Sequence, residues 1–366
     1  MEIKTLSLRN FRNYAALDVA FSPRVNLVYG ENAQGKTNLL EAVCYFSGAR
    51  SPRSRFDREL VSFGAPEASL RAELLSRDRE FVAEIAVVPG RRRIRLNGVA
   101  KRSAAALTEV FRTVYFCPED LLLVRAGAAE RRKFLDGALS QLRPRYAAAL
   151  AEYNRLLEHK TRILRDWPEK PSLLDMLEEF DRRMAETGAL LIYYRARYVK
   201  KLSEAASEVH RDCSGGREKL DVVYRTVSGV EDPFARPEEL FRLLTEHQAC
   251  HRRAEREARS CLSGPHKDDL ELLIDGKSAR TFASQGQTRT AALALKLAER
   301  ELGFEDTGEH PVLLLDDVLS ELDEKRQSYV LNRIRGGQVF ISCCEEERLA
   351  GLEEGAAFHI RGGAVV

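Results

Sequence analysis

Eight consecutive residues, Gly30-Glu31-Asn32-Ala33-Gln34-Gly35-Lys36-Thr37, have the types and spacing of a phosphate-binding loop. Glycines free the backbone so that successive N–H groups can curl around phosphate oxygens. The Lys36 ammonium can then reach the outer phosphates, and the Thr37 hydroxyl can ligate magnesium. A strand-like run over residues 25–29 precedes the loop and a helical run over 38–46 follows it, which is the context the motif requires. The expected ligand is a nucleoside triphosphate with Mg2+, contacted from Gly30 through Asn38. A second group is Val312-Leu313-Leu314-Leu315-Asp316-Asp317, an apolar run ending in paired carboxylates. Asp316 is suited to hold the metal, and Asp317 to orient or activate the attacking water. Between them lies Ser284-Gln285-Gly286-Gln287, followed by a helix-forming run over 290–302. A serine and a glycine at a helix start offer an anion a hydroxyl, free N–H groups and a favourable dipole, although an ordinary helix cap has the same composition.

The elements that must position these groups follow from the pattern of the chain. Strand signals over 4–8, 18–21 and 25–29 lead into the loop. Runs at 67–75, 80–88 and 91–99, punctuated by Pro89-Gly90 and Asn97-Gly98, predict a β-meander. From about residue 130 the period becomes helical. Leu142, Tyr146, Ala149, Tyr153, Leu156, Lys160 and Ile163 recur at spacings of three and four, and Pro144 is suited to a helix first turn. A second helical run from Leu173 to Ala205 ends before Gly215-Gly216, so two antiparallel helices of ~35 Å and ~55 Å are expected at a rise of ~1.5 Å per residue. Strand signals return at 220–227 and 270–274. The predicted division is 1–117 for the first part of a head, 118–216 for a helical insertion, and 217–366 for the rest of the head.

Composition sets the outer bounds. With 366 residues, 44% hydrophobic and 31% charged, the chain can bury a sizeable core in two or three domains. No apolar run approaches the ~20 residues that span a bilayer, and the start lacks a secretory pattern, so a cytoplasmic location and no membrane partner are expected. Seven scattered cysteines without Cys-x-x-Cys spacing argue for reduced thiols. His247, Cys250, His251 and Cys261 fall in or beside a charged helical run without zinc-ligand spacing, and are better read as ordinary side chains. Net charge is only +2, but residues 50–102 hold 13 Lys and Arg against 7 Asp and Glu. That imbalance makes Arg91, Arg92, Arg93 and Arg95, and after them Arg50, Arg53, Arg55 and Arg58, candidates for a DNA phosphate surface, against the plainer reading of a solvated face.

The order of phosphate loop, helical insertion, Ser-x-Gly-Gln, strand-Asp-Asp and Ser320-Glu321-Leu322-Asp323 resembles the ABC-type ATPase heads of the SMC and Rad50 class. The resemblance implies an α/β head with mixed β-sheets around the loop and an inserted α-helical subdomain with short arms. It also implies that Ser284, Gly286 and Gln287 serve the nucleotide of a second copy in an ATP-dependent homodimer, and that Asp323 lies in the loop crossing the interface. Catalysis would then rest on Asp317, Lys36 and Ser284, while Arg12 is similar to a basic residue that reaches phosphates in such heads. Within the class, residues 8–13 (Leu-Arg-Asn-Phe-Arg-Asn), Pro118-Glu119-Asp120 through Asp136, and Gly264-Pro265-His266-Lys267-Asp268-Asp269-Leu270 look like the RecF family of bacterial recombination mediators. That likeness implies duplex DNA binding next to single-stranded gaps, and work with RecO and RecR to load recombinase in repair and replication. Departures are Ala126 and Ala128 in the first of the family motifs, Thr288 after Ser-x-Gly-Gln, and no histidine after the strand at 338–342, which implies a weak ATPase. A Rad50-type rod would need long arms and a metal hook. A transporter ATPase would lack the RecF-like segments, and a small-molecule kinase would leave Ser-x-Gly-Gln and Ser-Glu-Leu-Asp unexplained.

Overall fold

The computed structural model describes the chain apart from Ala49, Arg55, Pro89, Arg335, residues 345–354 and the side chain of Leu122. Arg55 of the first arginine cluster and Pro89 of the expected turn therefore lie outside the described residues. The chain forms two compact units, residues 1–122 with 292–366, and residues 123–291. The first unit starts with β1 (Glu2–Phe11), β2 (Tyr14–Ala20), β3 (Val25–Tyr29), α1 (Lys36–Tyr45), β4 (Ala68–Ser76) and β5 (Arg79–Val88). It continues with β6 (Arg91–Leu96), β7 (Val99–Lys101), α2 (Ala105–Thr108) and β8 (Thr113–Phe116). The second holds α3 (Ala128–Leu142), α4 (Pro144–Asp166), α5 (Leu177–Ser214), β9 (Leu220–Arg225), α6 (Pro237–Ala258), β10 (Asp269–Ile274), β11 (Lys277–Ser278) and α7 (Ala279–Phe282). Helix α8 (Gln285–Thr307) leads back into the first unit, which ends with β12 (Val312–Asp316), α9 (Glu324–Arg333), β13 (Val339–Cys343), β14 (Gly355–Arg361) and β15 (Ala364–Val365).

Two six-stranded sheets build the first unit. One has the order β2-β1-β4-β5-β6-β7 and is antiparallel throughout. In β4, Leu70, Ala72 and Leu74 point inward while Ser69, Arg71 and Glu73 face solvent, the period of two expected of a half-buried strand. The run at 91–99 divides into β6 and β7 because Asn97 and Gly98 both take positive φ (52° and 75°), as a tight two-residue hairpin demands. The other sheet has the order β15-β14-β3-β13-β12-β8, and β14, β3, β13, β12 and β8 run parallel. Every residue of β12 is buried, which explains its unbroken apolar run. Leu39, Leu40 and Val43 of α1 share one core with Leu6 and Leu70 of the antiparallel sheet and with Leu314 and Phe340 of the parallel one. Covered on both sides, α1 carries apolar residues on more than one face.

In the second unit α4 begins at Pro144 as expected and runs 23 residues, while α5 runs 38 and stops where Gly215 adopts the left-handed conformation (φ 69°). Met184, Leu191, Tyr198, Leu202 and Val209 of α5 are buried at helical spacing. This unit extends beyond residue 216, where the sequence reading closes the insertion, to Ala291. The reason is strand pairing. β9 pairs with β10 from Leu220↔Ile274 to Arg225↔Asp269, and β9 packs on α5, so the segment after 216 builds on the helices.

Candidate functional site

The loop at 30–37 is shaped by positions where only glycine fits. Gly30 (φ 143°) and Gly35 (φ 120°) occupy backbone conformations that L side chains rarely adopt. A Cβ at Gly30 would meet the Ile360 carbonyl oxygen at 2.4 Å, and one at Gly35 would meet Asn13 Nδ2 at 2.7 Å. The carbonyls of the loop are tied down from outside. Tyr14 donates its hydroxyl to Gly35 O (2.9 Å), and Asn13 Nδ2 and Gly363 N both donate to Gln34 O (2.9 and 3.0 Å). Gly362 N donates to Gln34 Oε1 (2.7 Å), and Asn38 Nδ2 to Asn13 Oδ1 (2.8 Å). Lys36 is buried, with Nζ donating to Gly30 O (2.7 Å) and Glu31 O (3.0 Å) across the loop.

Parallel pairing of β12 with β13 and β8 brings the carboxylates to the helix that follows the loop. Thr37 Oγ1 donates to Asp316 Oδ1 (2.9 Å), which also accepts from Ser342 Oγ (2.8 Å), while the Tyr115 hydroxyl donates to Asp316 Oδ2. Asp317 takes a left-handed backbone conformation (φ 52°), and its N–H donates to Ser342 Oγ (2.9 Å). Burial raises the Asp317 carboxyl above the usual aspartate value, opposed by the Lys36 charge and assisted by that of Asp316. A glycine-shaped cradle, one ammonium, and hydroxyl and carboxylate oxygens fit a triphosphate with Mg2+, which is typically held by one or two carboxylates plus substrate phosphates. Thr37 and Asp316 supply the oxygens that could hold such a metal.

Tyr115, Ser342, Asn13 and Tyr14 are the supporting residues missing from the sequence reading. Cys344 is a further one, donating its thiol to Asn32 Oδ1 (3.3 Å) beyond the strand that lacks a histidine. Arg12 is hydrogen-bonded to α1, the helix that follows the loop. Its guanidinium donates to both oxygens of buried Glu41 in α1 (2.8 Å each), to Glu59 O (2.7 Å) and to Ser54 Oγ. These hydrogen bonds fasten α1 to the segment around residues 54–60.

In the second unit Ser284 and Gln287 form a reciprocal cap on α8: Gln287 N donates to Ser284 Oγ (3.2 Å), and Ser284 N to Gln287 Oε1 (2.8 Å). Gln287 Nε2 also donates to Glu218 (3.0 Å), and Ser284 remains exposed. Gly286 sits in the first turn of that helix, which begins at Gln285, directly after the serine read as a helix start. Asp323 caps α9 by accepting from Arg326 N (3.0 Å).

His266 is a packing residue. Its Nε2 lies 3.2 Å from Cys261 O, and because a carbonyl only accepts, Nδ1 takes the hydrogen bond from the Tyr153 hydroxyl (2.7 Å). Burial lowers its pKa to about 4. Two of the three segments quoted for the family resemblance meet in this unit: Arg131 pairs with Asp269 (2.7 Å), Arg132 donates to Asp268 O, and buried Arg195 joins Asp136 to Asp268. His247 stacks on His251 and shares a hydrogen bond with Ser263, which gives both ordinary packing roles.

On β6, Arg91, Arg93 and Arg95 stand opposite buried Ile94, and Arg93 pairs with Glu67 (2.9 Å). Arg92 lies on the other face, 3.4 Å from Asp57. Arg53 donates to Asn38 Oδ1 (3.2 Å), and Arg58 stacks over the exposed Phe56 ring. Among the described residues no helix is long and apolar enough to cross a membrane.

Comparison with known proteins points one way. The profile described as "RecF/RecN/SMC N terminal domain" matches residues 2–359. The "DNA replication and repair protein RecF" of Symbiobacterium thermophilum is 41% identical over 373 residues, covering 100% of this chain and 98% of the relative. Two solved structures align with the whole chain. One, titled "Structure of the recombination mediator protein RecF-ATPrS in RecFOR pathway", has 35% identity and a TM-score of 0.92 and is covered over 97% of its length. The other, titled "Structure of the recombination mediator protein RecF-ATP in RecFOR pathway", has 37% identity and a TM-score of 0.91 and is covered over 96%.

Proposed function

Since the chain belongs to the RecF family of the RecF/RecN/SMC group, we propose that it is an ATP-dependent DNA-binding protein of recombinational repair. On this reading it binds ATP in the loop at 30–37, closes as a homodimer on duplex DNA beside single-stranded gaps, and acts in the cytoplasm with RecO and RecR to help load recombinase. Hydrolysis is slow and resets the dimer.

The reading assigns each side chain a task. Backbone N–H groups of residues 31–37 and the Lys36 ammonium hold the β- and γ-phosphates. Mg2+, when bound by Thr37 and Asp316, neutralises charge on the phosphates. Asp317 accepts the proton of the attacking water, and its raised pKa suits it to that exchange. Ser342 orients both aspartates, through Asp316 Oδ1 and the Asp317 N–H. Ser284, Gly286 and Gln287 present the start of α8 to the nucleotide of the second copy, where hydroxyl and dipole favour an anion.

The observation that carries the proposal is the hydrogen bond from Thr37 to Asp316, which links loop and carboxylate strand across 279 positions of sequence. Titration of Lys36→Met with ATP tests it. Loss of about tenfold or more in affinity, in a chain that keeps its melting temperature, is expected from removing a charge-assisted contact to phosphate. Unchanged affinity in the folded variant would exclude the loop as the site.

A further inference from the structure

Phe282 is 71% exposed, although the backbone on either side of it is anchored. It closes the short helix α7, whose first residue, Ala279, is buried. The next carbonyl, Ala283 O, accepts from Arg125 Nη2 (2.8 Å) and is followed by the reciprocal Ser284 and Gln287 cap. Gln287 is in turn held by Glu218 (3.0 Å). The exposed ring is thus carried by an anchored backbone two residues before Ser284, and its sequence neighbours Arg280, Thr281, Ser284 and Gln285 are exposed too. A large aromatic ring left in water on a restrained backbone forgoes a sizeable hydrophobic gain unless something covers it, and buried aromatic rings dominate the energetics of interfaces.

We propose that Phe282 is an anchor of the interface with a second copy of this chain, buried when the start of α8 closes on that copy's nucleotide. The inference rests on the two-copy reading above, because what faces Ser284 in that reading is the other protomer. The cap and Arg125 hold the backbone between Phe282 and Ser284, which are two residues apart, so a surface that closes on Ser284 comes within reach of the ring. Phe282 is a positioning residue: it touches no phosphate and acts by adding apolar contact beside the polar end of α8.

The test is sedimentation equilibrium of the full chain with ATP and Mg2+, comparing Phe282→Asp, Phe282→Tyr and Ser284→Arg, each with its ATP affinity measured at protein concentrations where the chain is monomeric. Phe282→Asp is expected to weaken ATP-dependent dimerisation at least tenfold with monomer ATP affinity changed less than twofold, whereas Phe282→Tyr stays near wild type. Normal dimerisation of Phe282→Asp while Ser284→Arg fails would overturn the inference, leave the two-copy reading intact, and assign the ring to another occupant. Normal dimerisation of both variants would remove the two-copy reading itself. Unfolding of Phe282→Asp is distinguished by loss of monomer ATP binding, and Phe282→Ser then takes its place with the same expected and contrary results.

Discussion

Thr37 and Asp316 lie 2.9 Å apart, hydroxyl to carboxylate, although one follows a glycine loop near the start of the chain and the other ends a buried strand near its close. The contact exists because β3, which launches the loop, and β12 flank the same strand, β13, and run parallel to it. Asp316 also accepts from Ser342 and Tyr115, so it is oriented before any metal arrives.

Asp316→Asn keeps the size and polarity of the side chain but removes the charge that attracts a divalent cation. ATP affinity measured with Mg2+ should fall by about tenfold or more, while affinity measured in excess chelator should change little. Equal losses under both conditions would mean that Asp316 supports the loop rather than the metal.

Asp317→Asn should bind ATP and accumulate a long-lived dimer, with hydrolysis reduced by about 10²-fold or more, the usual consequence of losing a general base. The wild-type rate should also show an acidic limb. Burial raises the Asp317 pKa, so the ionised base is lost at a higher pH than for a free aspartate, and the rate should fall with decreasing pH from a midpoint above that of a free aspartate. A flat profile down to pH 4, or full activity in the Asn variant, would move the base to another residue.

His266 makes the fold sensitive to acid. Its pKa falls from 6.5 to about 4 on burial, so the unfolded chain binds the proton more tightly than the folded one. The corresponding stability is fully present above pH 6.5 and is lost as pH drops towards 4. The melting temperature should decline over that window, and less steeply in His266→Gln. An identical pH dependence in the two proteins would mean the imidazole is not held neutral in the fold.

Replacing Arg91, Arg92, Arg93 and Arg95 with Ala tests the DNA surface. Because Arg92 lies on the face of Ile94, near Asp57, at most three of the four can meet one duplex together. The log–log salt dependence of DNA binding should therefore flatten by up to ~2.7, since each phosphate that is no longer neutralised takes ~0.9 from the slope, with ATP affinity unchanged. No change in slope would shift attention to Arg50, Arg53 and Arg58.

What can be read from the sequence is what depends on local chemistry. Gly30 and Gly35 are required by backbone conformation, β12 announces its burial by an unbroken apolar run, and Pro144 and Gly215 mark helix ends by their own φ. Tyr115 and Ser342 are not legible there, because their approach to Asp316 comes from sheet register, with Leu315 opposite Phe116 and Asp316 opposite Ser342. Arg12 shows the same limit: Glu41, buried in α1, takes its Nε and Nη2 with both carboxylate oxygens, a pairing 29 positions apart that no local pattern announces. The start of α8 is legible because Ser284 has the chemistry of a helix cap, which it forms reciprocally with Gln287.

On the proposed reading, ATP closes two copies of this chain on DNA. Sedimentation of the wild-type protein with ATP, with ADP and without nucleotide, each with and without a duplex carrying a single-stranded gap, tests nucleotide, dimer and DNA in one series. Dimers that form with ATP and Mg2+, that are absent with ADP, and that are favoured further by gapped DNA are the predicted result. A chain that stays monomeric with ATP in the presence and absence of DNA, while binding the nucleotide, would contradict it.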